Sequence, residues 1–358
     1  MSRTEIHRDR PLITAWSAVS PFGIGRDAFA AGAGGARPAP ADGRPVRLVP
    51  DFEVRTVLGK AGTRTFDRAT GLAVTAVREL LGEAEADQCP VPTGTGTALV
   101  LGTTLGSAHS AAEFSRASFE GDKPYDVPAQ LMPNVLMNGP AAATAIRFDL
   151  RGPNTTLAGG PAGGLLALGY ARRLLAAGRA ERALVGAVEE HSPTRTWLAG
   201  DTPDTVPGEG GAVLLLETAR TLPPGRRVLA ELLALDVRLD VEDDPAATLT
   251  AVVREALGQA GAEAAEVWAA DVSGVTGPDG RRARAALAAV VGAEALSRIT
   301  AADLVGDTAS AATVFSLTTA LALAEGDPSA AGRLAVITSL DEHGLAACAV
   351  LRLTGGAR

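Results

Sequence analysis

Residues 152–171, GPNTTLAGGPAGGLLALGYA, place a short strand before a tight turn and an Ala/Leu-rich helix. A strand, turn and helix in this order is where a nucleophile elbow or a phosphate loop does its chemistry, because the turn presents a side chain or a row of backbone N–H groups. Neither chemistry has its residues here. A phosphate loop needs Lys and Ser or Thr after its last glycine, whereas Leu165 and Leu166 follow Gly164. The other glycine-dense segment, Gly94-Thr95-Gly96, precedes its expected strand, the wrong order for a dinucleotide fingerprint. An elbow needs Ser or Cys at the apex, and the apex is Pro161. The form of a reactive turn is kept while the reactive atom is missing.

The other nucleophiles and imidazoles do not assemble into a site by spacing. Cys89 precedes Pro90 in a polar linker, and Cys348 sits in the apolar run 345–353, where a buried inert thiol is expected. Two cysteines cannot make a disulfide framework or a four-ligand zinc site, and they suit a reducing cytoplasm. The four histidines are His7 in the N-terminal tail, His109 after the second expected strand, His191 after Glu189-Glu190, and His343 in a late turn. None has metal-like or triad-like spacing to another, so neither a metal nor a cofactor is expected. His109 and His191 are the two expected to line a pocket mouth.

In order along the chain, several segments resemble the β-ketoacyl synthases of the thiolase-like superfamily. Residues 13–25 (ITAWSAVSPFGIG) are similar to that family's opening strand and turn, and Asn134 with Gly139-Pro140 to its loop before the nucleophile strand. Residues 152–171 resemble the nucleophile region, in which a Cys stands at the position of Pro161. Residues 179–189 look like the following strand, and 206–217 (VPGEGGAVLLLE) like the acidic-glycine segment. The resemblance covers about residues 11–353. It implies an α/β, thiolase-like fold whose duplicated halves form a five-layer α-β-α-β-α arrangement.

Active members use that Cys with two histidines, which assist decarboxylation and stabilise the resulting charge. By the resemblance the first His segment is 272–278 (VSGVTGP), with Ser273 at the His position; the second is 304–312 (LVGDTASAA), with Asp307 for His and Ala302 for the usual Lys. A carboxylate at Asp307 would repel a developing enolate where an imidazole should stabilise it. Pro161, Ser273 and Asp307 are therefore expected to be vestigial, with no catalytic residue. In one branch of the family an inactive homologue, the chain length factor, pairs with an active ketosynthase; it commonly carries Gln followed by Ala-Gly-Gly at the nucleophile position. Pro161-Ala162-Gly163-Gly164 keeps the tail of that pattern. The resemblance then implies a heterodimer with an active ketosynthase, an acyl carrier protein engaged mainly through that partner, and a chain shorter than the aromatic-polyketide examples, as a polyene-type system would use.

The same resemblance puts residues 106–137 where the family shapes its acyl tunnel. Phe114, Phe119, Met132 and Met137 concentrate bulky side chains there, with Ser107, Ala108, Ala111 and Ala112 leaving space, and the strand Thr155, Thr156, Leu157, Ala158 is expected in the dimer interface. Two rival readings stand beside it: an acyltransferase or hydrolase using Ser310 or Cys89, and a homodimeric acyl-binding scaffold.

The elements that must position these residues follow from pattern. Of 358 residues, 46% are hydrophobic, 21% charged and only 4% aromatic, so a large core is available and must be built from Ala, Leu and Val. The net charge of −8 argues against a nucleic-acid binder. No run of about 18 apolar residues predicts a membrane span, and the N-terminal stretch reads as a first strand rather than a signal peptide, which places the protein in the cytoplasm. Apolar runs at 12–17, 98–103, 183–188, 212–217, 268–274 and 334–339 predict buried, mostly parallel strands; 67–85, 163–177, 245–260, 280–291 and 310–324 predict helices. Pro- and Gly-rich loops are expected at 33–46, 90–96 and 200–211. Residues 161–190 and 308–342 repeat one pattern, small-residue turn, Ala/Leu helix, loop and strand ending in acidic residues. That repeat predicts two halves, 11–221 and 228–353, whose equivalent helices pack closely in the middle.

Overall fold

The computed structural model describes residues 10–33, 46–200 and 205–355. His7, most of the loop expected at 33–46, and 201–204 of the loop expected at 200–211 lie outside them. The chain enters at β1 (Leu12–Ser20), turns through β2 (Gly23–Ile24) into α1 (Arg26–Ala33), and continues through α2 (Arg68–Ala86), β3 (Thr97–Thr103), α3 (Ala108–Glu120), α4 (Gly139–Arg147) and β4 (Asn154–Ala158). Next come α5 (Gly163–Ala176), β5 (Arg182–Glu189), α6 (Pro193–Ala199) and β6 (Gly210–Glu217). The remainder holds β7 (Ala230–Leu239), α7 (Pro245–Ala260), β8 (Val267–Gly274), α8 (Gly277–Val291), α9 (Ala312–Gly326), β9 (Leu334–Leu340) and β10 (Leu345–Leu353).

The strand order β4-β3-β5-β6-β1-β7-β10-β9-β8 contains the same arrangement twice. β3 lies parallel to β5, β5 antiparallel to β6, and β6 antiparallel to β1; likewise β8 lies parallel to β9, β9 antiparallel to β10, and β10 antiparallel to β7. Among the described residues only the pairs Leu12–Glu231 and Ile13–Ala230 join the two sets, so the sheet is two sheets touching at one corner. α5 and α9 pack between them, α2 and α4 cover the outer face of the first, and α7 and α8 that of the second. This is the five-layer arrangement.

Alternating side chains divide each strand between layers. On β5, Ala183, Val185 and Ala187 face the central core and Leu184 and Val188 the outer one; on β10, Ala347, Ala349 and Leu351 face inward and Ala346, Cys348 and Val350 outward. Most core side chains are Ala, Leu or Val, but three of the buried aromatics meet at one central point, where Phe29 stacks on Phe315 at 5.6 Å and meets Trp16 edge-on at 5.9 Å. The stretch Ala309–Gly326 is long and apolar enough for a membrane span by composition, yet it is the central α9 with the turn that leads into it, mostly buried between the two sheets.

One expectation is corrected. Among the described residues, five of the eight neighbour pairings along the strand path are antiparallel, so the strands are not mostly parallel. A strand sandwiched between helical layers is apolar on both faces whatever its direction, so apolar runs carry no direction signal.

Candidate functional site

The turn around Pro161 is built by close approaches that only glycine permits. Gly160 has φ +52°, and a Cβ on Gly102 of β3 would lie 2.6 Å from the backbone of Gly163. Gly274, at φ +103° beside Ser273, ends β8 against the carbonyl of Leu340, and a Cβ there would stand 3.1 Å from Cβ of Pro161. On the other side, side chains at Gly163 and Gly164 would strike Ser310 Oγ and Thr313 Oγ1, which is how α5 and α9 cross so closely. Two predicted positions, Pro161 and Ser273, are thus brought together at the strand ends. Ser273 is buried and donates through Oγ to the carbonyl of Thr338 at 3.3 Å.

Asp307 stands just outside this turn. Its backbone is sewn to the loop before β6, accepting from Gly208 N–H at 2.9 Å and donating to the Val206 carbonyl at 2.7 Å, while its exposed carboxylate accepts from Ala309 N–H at 2.8 Å. Ser310, three residues on, is fully buried, and its Oγ has no hydrogen-bond partner among the described residues. Ala302 is exposed.

Around these positions lies a polar network. Arg195 of α6 donates to the carbonyls of Glu190 (2.9 Å), Gly208 (2.8 Å) and Asp307 (3.2 Å), binding the end of β5 to both loops. Glu209 is fully buried and takes a fork of hydrogen bonds from Arg68, at 2.6 Å and 2.5 Å, with further ones from the N–H groups of Val49 and His191. Burial pushes the Glu189 carboxyl up to about 7, partly offset by the Arg195 guanidinium and the Thr104 N–H, with Asp307 adding to the rise. Burial also raises Glu190, which accepts from His109 N–H at 3.1 Å, and lowers the imidazolium of His191. Asp271, on β8, is raised by burial to about 6 and accepts from Ser316 Oγ at 2.5 Å. In the sequence Glu189-Glu190 shows only as the end of a strand, and Arg195, Arg68 and Asp271 carry no signal, because a buried charge is recognised by its partner and the partners are distant in sequence.

The proposed tunnel positions are spread over α3 and the short helix Met132–Val135. Ser107 and Ala108 are buried, Ala111, Ala112 and Phe114 half-buried, and Phe119 (88% exposed), Met132 and Met137 lie on the surface. Within this chain, then, the last three fill no cavity. A groove of about 420 Å³ runs between Phe66, Pro133, Leu136, Ala142 and Ile146, and of these Leu136 and Ile146 are exposed, as Met132 and Met137 are. Beside it Thr155, Thr156 and Leu157 are half-buried on β4, with Ala158 exposed; among the described residues β4 pairs with β3 alone and leaves its other edge unpaired. Asn134 is buried and donates to the Thr65 carbonyl at 2.7 Å.

The remaining reactive groups lie apart. His109 sits on α3 with its ring 3.3 Å from Thr194 Oγ1, and His343 is an exposed turn residue. Cys348 is buried on β10, where desolvation pushes the thiol up. Cys89 edges a polar cleft of about 700 Å³ at the N-terminal end of β3, opposite the end that carries Pro161.

Comparison with known proteins agrees with this architecture. Residues 51–204 match the family Beta-ketoacyl synthase, N-terminal domain. Comparison with the curated proteins returns no match. Among solved structures, the ishigamide ketosynthase/chain length factor superposes with a TM-score of 0.90 at 43% identity, covering 97% of this chain and 100% of that one. A type II polyketide synthase acyl-carrier protein in complex with its ketosynthase bound to the hexaketide gives 0.76 at 17% identity over 96% of this chain and 99% of that one. A β-ketoacyl synthase from Burkholderia phymatum STM815 gives 0.76 at 19% identity over 96% and 99%. The last two are similar in fold. With 43% identity along nearly its whole length to a protein of that kind, the chain belongs to the ketosynthase/chain length factor family of the thiolase-like fold.

Proposed function

We propose that this chain is the non-catalytic chain length factor of a type II polyketide synthase: it pairs with an active ketosynthase in the cytoplasm and walls the tunnel that receives the chain growing on an acyl carrier protein. The observation that carries this is Pro161 at the apex of the turn, with Ser273 and Asp307 in the neighbouring segments, so that neither thiolate nor imidazole is available where acyl transfer and decarboxylation need them. A pyrrolidine cannot attack a thioester, and the Asp307 carboxylate would oppose the charge that an enolate develops. The apolar flank of Met132, Leu136, Met137 and Ile146 beside the free edge of β4 is the surface assigned to the partner, with Thr155, Thr156, Leu157 and Ala158 pairing across it. Halves of 11–221 and 228–353 accord with the doubled strand order.

The tunnel wall is assigned to Ser107, Ala108, Ala111, Ala112 and Phe114, with Phe119, Met132 and Met137 contributing where the partner closes over them. A reducing, polyene-type system is its proposed setting. A nucleophilic role for Ser310 is disfavoured, because its Oγ is sealed against Gly163 with no base bound to it. Cys89 is at the wrong end of the sheet. The test is Ala112→Phe in the chain co-produced with its ketosynthase. The main product should shorten while the complex stays 1:1; unchanged product length would reject the tunnel assignment, and a soluble homodimer indifferent to any ketosynthase would favour the scaffold.

A further inference from the structure

α3, which carries most of the proposed tunnel positions, is poorly anchored by its own sequence. Ala108 is its one buried residue, and Ser107 at the N-cap makes no side-chain hydrogen bond to the first turn. The open N–H groups of a helix start need acceptors. One of them, His109 N–H, is taken at 3.1 Å by the carboxylate of Glu190, which comes from the far end of β5. Its neighbour Glu189 accepts from Thr104 N–H at the other end of the same turn. Both carboxylates are almost wholly buried, 1% and 3% exposed, so each is committed to the contact it makes. Arg195 braces the Glu190 backbone from behind. Between the two contacts the turn is tight: Gly106 has φ +61°, and a Cβ on it would lie 3.0 Å from Cα of Met137.

The second half shows that such an acidic pair need not work this way. At the equivalent end of β9, the carboxylate of Asp341 accepts from the N–H groups of His343 and Leu345, within its own hairpin.

We propose that Glu189 and Glu190 are positioning residues for chain-length selection, holding both ends of the turn 104–109 and so fixing where α3 stands in the tunnel wall. The inference rests on the tunnel reading above. Without the Glu190 acceptor, α3 gains freedom at its start, and the wall formed by Ala108, Ala111 and Ala112 is no longer fixed. The chain co-produced with its ketosynthase tests this with Glu190→Ala, Glu189→Ala, Glu190→Gln and the control Ala112→Phe, reading product lengths, total product and complex stoichiometry. Glu190→Ala should change the ratio of longer to shorter products by about fivefold, the factor that a lost helix cap is worth. Glu190→Gln keeps an acceptor oxygen and should restore the native ratio, a rescue that a general loss of folding would not give. If Glu190→Ala is insoluble, Glu190→Asp, which keeps the charge but draws it back by one methylene, should shift the ratio in the same direction. An unchanged ratio in Glu190→Ala, or in Glu190→Asp where it takes the place of an insoluble Glu190→Ala, with Ala112→Phe still shortening the product, overturns the positioning role alone. If Ala112→Phe also has no effect, the tunnel reading falls and the inference falls with it.

Discussion

The two halves share a strand order but differ at their outer edges. The first adds β4, parallel to β3 and unpaired beyond it, next to an apolar flank left in the open. Among the described residues the second has no strand at the corresponding place, and its edge strand β8 is packed by α8 and the helix Ala293–Arg298. Its exposed apolar residues, Leu239 and Val241, lie instead at the far tip of β7 among Asp240, Glu242, Asp243 and Asp244. One strand order recurs in both halves, but the bare apolar flank beside an edge strand lies on one of them. An edge strand beside a bare apolar flank is an aggregation liability unless something covers it, and charges ring the other tip as they do where nothing binds.

The largest expected effect follows from that difference. Met132→Asp with Leu136→Asp should weaken association with the ketosynthase on the order of a hundredfold or more, by placing unpaired charge in a desolvated interface. Leu239→Asp with Val241→Asp, equally exposed in the other half, should leave the complex intact. Pull-down and sedimentation of the co-produced subunits separate the two, and equal loss from both pairs would erase the asymmetry.

A smaller effect is expected at the seam between the halves. Gly163→Ala puts a methyl into Ser310 at the crossing of α5 and α9 and should destabilise the protein by about 1–3 kcal/mol, as overpacking does. Ser310→Gly in the same chain should recover part of that loss. Gly82, in α2 with open space around it, gives the contrast: Gly82→Ala should stabilise by about 0.5–1 kcal/mol. Denaturant midpoints measured on the assembled complex check all three.

What could be read from the residues divides along the same lines. The six apolar runs became strands and the five Ala/Leu stretches became helices within a few residues, because elements buried between layers must be apolar throughout. The small residues opening α5 and α9 correctly announced their close crossing. β7 escaped notice because Asp236 and Arg238 interrupt it on the way to its exposed end, and α3 because almost none of it is buried. Strand direction was hidden by two-sided burial. At the site, Pro161 and Ser273 were legible as absences in a known pattern, whereas the carboxylates at 189, 190 and 209 acquire meaning only from Thr104, His109 and Arg68, which sit 85, 81 and 141 positions away.

The most direct measurement is native mass spectrometry of this chain assembled with its ketosynthase and incubated with an acyl-loaded carrier protein. The account predicts a 1:1 heterodimer whose acyl group is found on the ketosynthase alone. An acyl adduct on this chain, or a homodimer that ignores the ketosynthase, would contradict it.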